Sequence, residues 1–109
     1  MTTPPARPSA VNALRDVVPK FADLTDTVLF GDVWERPELS KRDRSLITVA
    51  VLTALYRTEQ LRGHIGRALD NGVTQEEIGE LITHLAFYAG WPVSVNAAQV
   101  AKQVFEQRG

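Results

Sequence analysis

The chain has no cysteine. Disulfides, thiolate metal ligands and thiol redox chemistry are therefore excluded. It also has little net charge. Twelve Lys and Arg stand against 13 Asp and Glu, and the basic residues are scattered among the acids. A nucleic-acid surface needs a clustered basic face, so nucleic acid is not an expected partner. No apolar run reaches the roughly 18 residues of a membrane span. The N-terminus lacks the apolar core of a signal peptide. The expectation is a cytoplasmic protein without a membrane partner. Phosphate loops, G-x-S-x-G elbows and dinucleotide fingerprints are absent too. With two histidines and no H-E-x-x-H spacing, neither a metal nor another cofactor is expected.

What is present is an ordinary globular composition, 44% hydrophobic over 109 residues, which fits one domain. Residues 1–8 (MTTPPARP) carry three prolines and no apolar pattern, and read as a flexible arm. Residues 9–109 then form the domain. Ser9 can cap a helix with Val11, Leu14 and Val18. Pro19 breaks or restarts it. Phe21, Leu24 and Val28 follow at helical spacing, and Pro37 pushes Arg36 out of the helical region.

Residues 40–90 are the centre of the chain. Ser40 and Asp43 make an S-x-x-D start signal. Residues 46–56 are apolar except for Thr48 and Thr53, which predicts a helix buried on most sides. A strand competes, because Ile47, Val49 and Val51 alternate, but the length and the upstream cap favour helix. Thr58 is the expected cap of the next helix, whose inward stripe is Leu61, Ile65, Ala68 and Leu69, and Asn71-Gly72 ends it. Thr74 and Glu77 form a capping box for a helix carrying Ile78, Leu81, Ile82, Leu85 and Ala89. Gly90 stops that helix. Pro92 opens the last one, with Val93, Ala97, Val100, Ala101 and Val104 facing inward. The fold class is all-α, with five or six helices.

Gln60, His64, Arg67 and Asn71 fall on one narrow helical face at steps of four, three and four. That face borders the apolar stripe. A histidine there can move a proton near neutrality, or simply pack its ring and donate one hydrogen bond. Glu77, His84 and Tyr88 share an edge of the following helix. Glu80, four residues before His84, can pair with it at the surface, so His84 reads as solvated. Arg42 and Arg44 open the most apolar helix. An arginine there can clasp a carboxylate or stay a solvated first-turn charge. Trp34, Phe87 and Trp91 read as core aromatics.

The runs VWERPELSKRDRSL, LRGHIGRALDNGVTQEEIGELITHLAFYAG and WPVSVNAAQVAKQV resemble the carboxymuconolactone decarboxylase family in order and spacing over roughly residues 30–104. The resemblance implies an alkylhydroperoxidase-like all-α fold assembled as a homo-oligomer, a trimer or hexamer. The apolar helix at 46–56 points to assembly independently, since its surface exceeds what five short helices cover. One branch of that superfamily is peroxidatic and needs a C-x-x-C pair four residues before the histidine. Arg57 and Gln60 occupy those places here and His64 matches the histidine, so peroxidase chemistry is not expected. The other branch decarboxylates 4-carboxymuconolactone in aromatic catabolism without a cofactor. By position, the resemblance implies Arg44 as carboxylate clasp and His64 as proton donor or oxyanion partner. Glu35, Arg67, Tyr88 and Trp91 become substrate-pocket candidates. The reading from a different class is a non-catalytic oligomeric ligand-binding or scaffold protein on the same fold.

Overall fold

Two short side chains decide where two of the main helices begin. Ser40 Oγ accepts the Asp43 amide at 3.0 Å. Thr74 Oγ1 accepts the Glu77 amide while the Glu77 carboxylate accepts the Thr74 amide, a complete capping box. Both signals were legible beforehand, and both helices start there. The computed structural model describes residues 10–109, and all their regular structure is helical, without a strand. The expected arm at residues 1–8 and the cap at Ser9 lie outside the described residues. The described chain falls into two units, residues 10–38 and Leu39–Gly109.

In the first unit a 3-10 helix, Ala10–Leu14, precedes helix α1, Pro19–Leu24. Pro19 is the first residue of α1, the restart expected of a proline. The chain then widens into a π-helix, Thr25–Phe30, and a 3-10 turn, Val33–Glu35. Arg15 forms ion pairs with Asp23 and Asp26. The apolar trio Phe21, Leu24 and Val28 is exposed, while Ala22, Thr25 and Trp34 are buried. Phe21 and Leu24 lie in α1, and the π-helix, which adds about a residue to each turn, changes the spacing only from Thr25 on, so it bears on Val28 alone. So few residues also cannot enclose a core of large side chains.

The second unit contains α2 (Lys41–Ala54), α3 (Thr58–Asp70), α4 (Gln75–Ala89) and α5 (Trp91–Arg108). Its core joins Val49 of α2, Leu61, Ile65 and Ala68 of α3, Ile78 and Ile82 of α4, and Ala97, Val100, Ala101 and Val104 of α5. For α3, α4 and α5 these belong to the inward stripes expected from spacing, but Ala89, expected in the α4 stripe, is exposed. Ser94, inside α5, donates its hydroxyl to the Ile82 carbonyl at 2.9 Å and so ties α5 to α4. Gly90 alone connects those two helices, at φ 110°, a conformation that favours glycine.

Three expectations need correction. Thr58 is the first residue of α3 rather than its cap, which is Arg57, without a side-chain capping bond. The cause is the end of α2. The Arg57 amide bonds back to the Leu52 carbonyl at 2.9 Å, and Tyr56 sits between at φ 62°. Helix α3 ends in the same way, with the Val73 amide on the Ala68 carbonyl at 2.9 Å and Gly72 at φ 96°. Where α3 uses glycine for the left-handed position, α2 uses tyrosine, at a backbone cost of about 1–2 kcal/mol. Second, α2 is not buried on most sides. Only Ser45, Val49 and Thr53 are fully buried, and Ile47, Val51 and Leu55 remain 53%, 48% and 59% exposed. Third, Phe87 and Trp91 are not core: they are 74% and 61% exposed, whereas Trp34 is buried as expected.

Replacing Ile65, wholly buried, with alanine should destabilise the protein by about 2–5 kcal/mol. Thr74→Ala removes half of the capping box and should cost about 0.5–2 kcal/mol. Urea denaturation of both variants checks this. A loss at Thr74 equal to that at Ile65 would show that the cap does more than start α4.

Candidate active site

Helices α2 and α3 pack as an antiparallel hairpin, and one polar bond fixes their register. Asn71 Nδ2, at the end of α3, donates to Ser45 Oγ at 3.0 Å. Ser45 is 1% exposed, so the bond satisfies a hydroxyl that water cannot reach. Ser45, Val49 and Thr53 form the buried seam of α2 at steps of four. With Asn71 level with Ser45, Arg67 falls beside the middle of the seam and His64 near its far end. His64, Arg67 and Asn71 are all half-buried, and Gln60, fourth on the same face, is exposed.

His64 thus stands where the sequence placed it, at the margin of the buried stripe, and its Nδ1 atom is sealed from solvent. A half-buried histidine at the margin of an apolar stripe is a placement from which an imidazole can move a proton. Thr53 Oγ1 is also enclosed, without a hydrogen-bond partner among the described residues. Thr25, Thr27, Thr48 and Thr83 instead donate to the carbonyl four residues earlier. Thr53 was read only as an interruption of the apolar run, and spacing gave no signal of its burial.

The six candidate residues separate into four places. Arg67 lies three residues from His64 on one face of α3. Arg44 is half-buried at the other end of the hairpin, where its Nε donates to the Leu39 carbonyl at 3.1 Å. Seven residues of α3, about 10 Å of helix, separate the Asn71 level from His64. Tyr88 and Trp91 lie at the α4–α5 corner in an exposed aromatic cluster. There His84 stacks on Tyr88 at 4.8 Å, and Phe87 meets Trp91 edge-on at 5.6 Å. Glu35 is exposed in the first unit.

An open groove of about 520 Å³ runs between α2 and α4. It holds neither His64 nor Arg44. Leu46, Ala50, Leu81 and Leu85 line it, with Glu77, Glu80 and His84 on the α4 side. Glu77 forms an ion pair with Arg42. The trough is mainly apolar, and its ionisable lining is two carboxylates and one imidazole. Helical spacing did not reveal the groove, because it depends on how two helices pack.

The model of the carboxymuconolactone decarboxylase family matches residues 19–103. The chain is 43% identical over 96 residues to 4-carboxymuconolactone decarboxylase of Acinetobacter baylyi, a match spanning 88% of this chain and 72% of that one. It is 35% identical over 95 residues to nitrosuccinic acid decarboxylase of Metarhizium robertsii, across 84% of this chain and 66% of the other. A 15.0 kDa protein of Paracoccus denitrificans is 29% identical over 100 residues, across 89% and 74% of the two chains. On the extent of these matches, the chain belongs to the carboxymuconolactone decarboxylase family.

Proposed function

We propose that this protein is a cofactor-free carboxy-lyase acting on a small carboxylated γ-lactone such as 4-carboxymuconolactone, in the cytoplasm and in aromatic catabolism. The observation that carries the reading is the seam itself: His64, half-buried with one enclosed nitrogen, beside Arg67 on one helical face. The 43% identity to a 4-carboxymuconolactone decarboxylase supports the choice of substrate.

The reaction breaks the bond between the ring carbon and a carboxylate and releases CO2. The electron pair left behind delocalises through the ring double bond onto the lactone carbonyl oxygen, so the substrate is its own electron sink. A proton then returns to carbon. The protein has to hold carboxylates, stabilise developing negative charge on oxygen and deliver the proton. In this reading Arg44 and Arg67 hold carboxylates, and His64 serves as proton donor or oxyanion partner. Glu35, Tyr88 and Trp91 complete the pocket in an alkylhydroperoxidase-like homotrimer or homohexamer. Nitrosuccinic acid, named for the second relative, has a comparable layout of two carboxyl groups and an electron-withdrawing group.

His64→Gln keeps a hydrogen-bond donor but removes titration, and should lower turnover of 4-carboxymuconolactone by roughly 10²–10⁴-fold. His64→Ala should do the same while costing only about 0.5–3 kcal/mol of stability. His84→Ala is the control and should be near neutral. Turnover, melting temperature and sedimentation of each variant decide it. A folded, assembled and fully active His64→Gln protein would make His64 structural and sink the assignment. Turnover should also survive chelators and thiol-blocking reagents. Loss on chelation, restored by one divalent metal, would mean that the histidines were misread.

A further inference from the structure

The bond that fixes the α2–α3 register is made by a chemically labile residue. Asn71 is followed by Gly72, whereas Asn12 and Asn96 are each followed by alanine. In an Asn-Gly pair the glycine amide nitrogen can attack the asparagine side-chain carbon, because no side chain shields the approach. Asparagine is thermolabile for this reason. The fold nevertheless requires this glycine. Gly72 takes the left-handed position that ends α3, at φ 96°, and the Val73 amide closes the turn on the Ala68 carbonyl at 2.9 Å. Gly72 is exposed and Asn71 half-buried, so water reaches the turn once it opens. The lability is built into how α3 stops.

Three restraints hold the reacting groups apart. Asn71 Nδ2 donates to Ser45 Oγ at 3.0 Å, which turns the side-chain amide towards α2. The Gly72 amide donates to the Leu69 carbonyl at 3.2 Å, so the attacking nitrogen is tied to the helix. The Asn71 backbone is still close to helical, at φ −89° and ψ 8°, and its own amide bonds to the Arg67 carbonyl at 2.9 Å. Ring closure has to rotate the Asn71–Gly72 peptide about the Cα–C bond, which breaks the Gly72 bond. It also has to take the side chain away from Ser45. Ser45 is 1% exposed, so that departure leaves a buried hydroxyl unmet.

We propose that Asn71 is a self-modification site, kept unreacted in the folded protein by Ser45, and that its reaction places a negative charge in the α2–α3 seam. The Gly72 nitrogen bonds to Asn71 Cγ and the Cγ–Nδ2 bond breaks. The nitrogen's proton leaves with the departing ammonia. Water then opens the cyclic imide at either carbonyl and gives aspartate or isoaspartate. Water is the only other reactant. The product carboxylate accepts hydrogen bonds and donates none, so the contact with Ser45 survives only with its direction reversed. The new charge lies four residues from Arg67 on one face of α3. Its effect on turnover rests on the function proposed above: an Arg67 drawn to this charge is a weaker partner for substrate carboxylates.

Peptide mass mapping of the full chain tests this, after incubation at physiological temperature and mildly alkaline pH, with Asn12 and Asn96 as internal references. Asn71 should react at least about tenfold more slowly in folded wild type than in wild type unfolded by urea. Folded Ser45→Ala should react at least about fivefold faster than folded wild type. If that variant does not fold, Ser45→Cys takes its place, since a thiol keeps the shape and is a weak acceptor. Ile65→Val is the control for lost stability, because it loosens the core and leaves the seam bond intact. The proposal is overturned if folded and unfolded wild type react alike at Asn71, if loss of the Ser45 hydroxyl does not speed the reaction, or if Ile65→Val speeds it as much. Asn71→Asp carries the reacted side chain and should raise KM for 4-carboxymuconolactone about threefold or more, with kcat changed less. A KM equal to that of wild type overturns the charge effect. The rates at Asn71 are read by mass and need no turnover, so a chain without decarboxylase activity rejects the proposed function and leaves this site standing.

Discussion

The three other helices of the second unit cover only one side of α2, and much of the molecule's character follows from that. The covered side carries Ser45, Val49 and Thr53, two of them hydroxyl residues in an otherwise apolar layer. A buried hydroxyl needs a partner, and the one at Ser45 is met by Asn71 from the end of α3. That bond sets how far along α2 each residue of α3 lies, and hence where His64 and Arg67 sit. The same limit leaves Ile47, Val51 and Leu55 in water. The enclosed side and the bare side of α2 are therefore chemically distinct, although a single helix carries both.

The ends of elements were readable where a side chain meets its own backbone. Ser40, Thr74, Gly72, Gly90 and Pro92 act within a few residues, and each does what its type predicts. The second unit's core was legible for a related reason, since helical spacing alone selects Leu61, Ile65, Ile78, Ala97 and Val104. Failures came where another segment decides. Thr58 reads as a cap in isolation, but the turn at Tyr56 moves the cap to Arg57. Phe21, Leu24 and Val28 have helical spacing, but a π-helix changes the period before Val28, and all three are exposed.

The candidate site was legible only along single helices. His64 and Arg67 share a face of α3 by arithmetic, and the structure keeps them together. How far Arg44 lies from them depends on the α2–α3 register, which no local pattern encodes. Tyr88 and Trp91 are near each other because α5 starts where α4 stops, but their exposure contradicts the usual fate of large aromatics. Large aromatics left in water at a helix corner make an exposed apolar patch that spacing within one helix does not foretell.

Gly90 is the whole connection between α4 and α5. Closing so short a connection costs little chain entropy, and the contacts it brings are local in sequence. The Ser94 bond to the Ile82 carbonyl secures this α4–α5 hairpin. Helix α2 has a local partner of its own in α3, joined to it through residues 55–57, so the second unit is two hairpins that meet across a longer stretch of chain. One glycine therefore makes a large share of the packing local in sequence, the kind of topology that favours rapid folding.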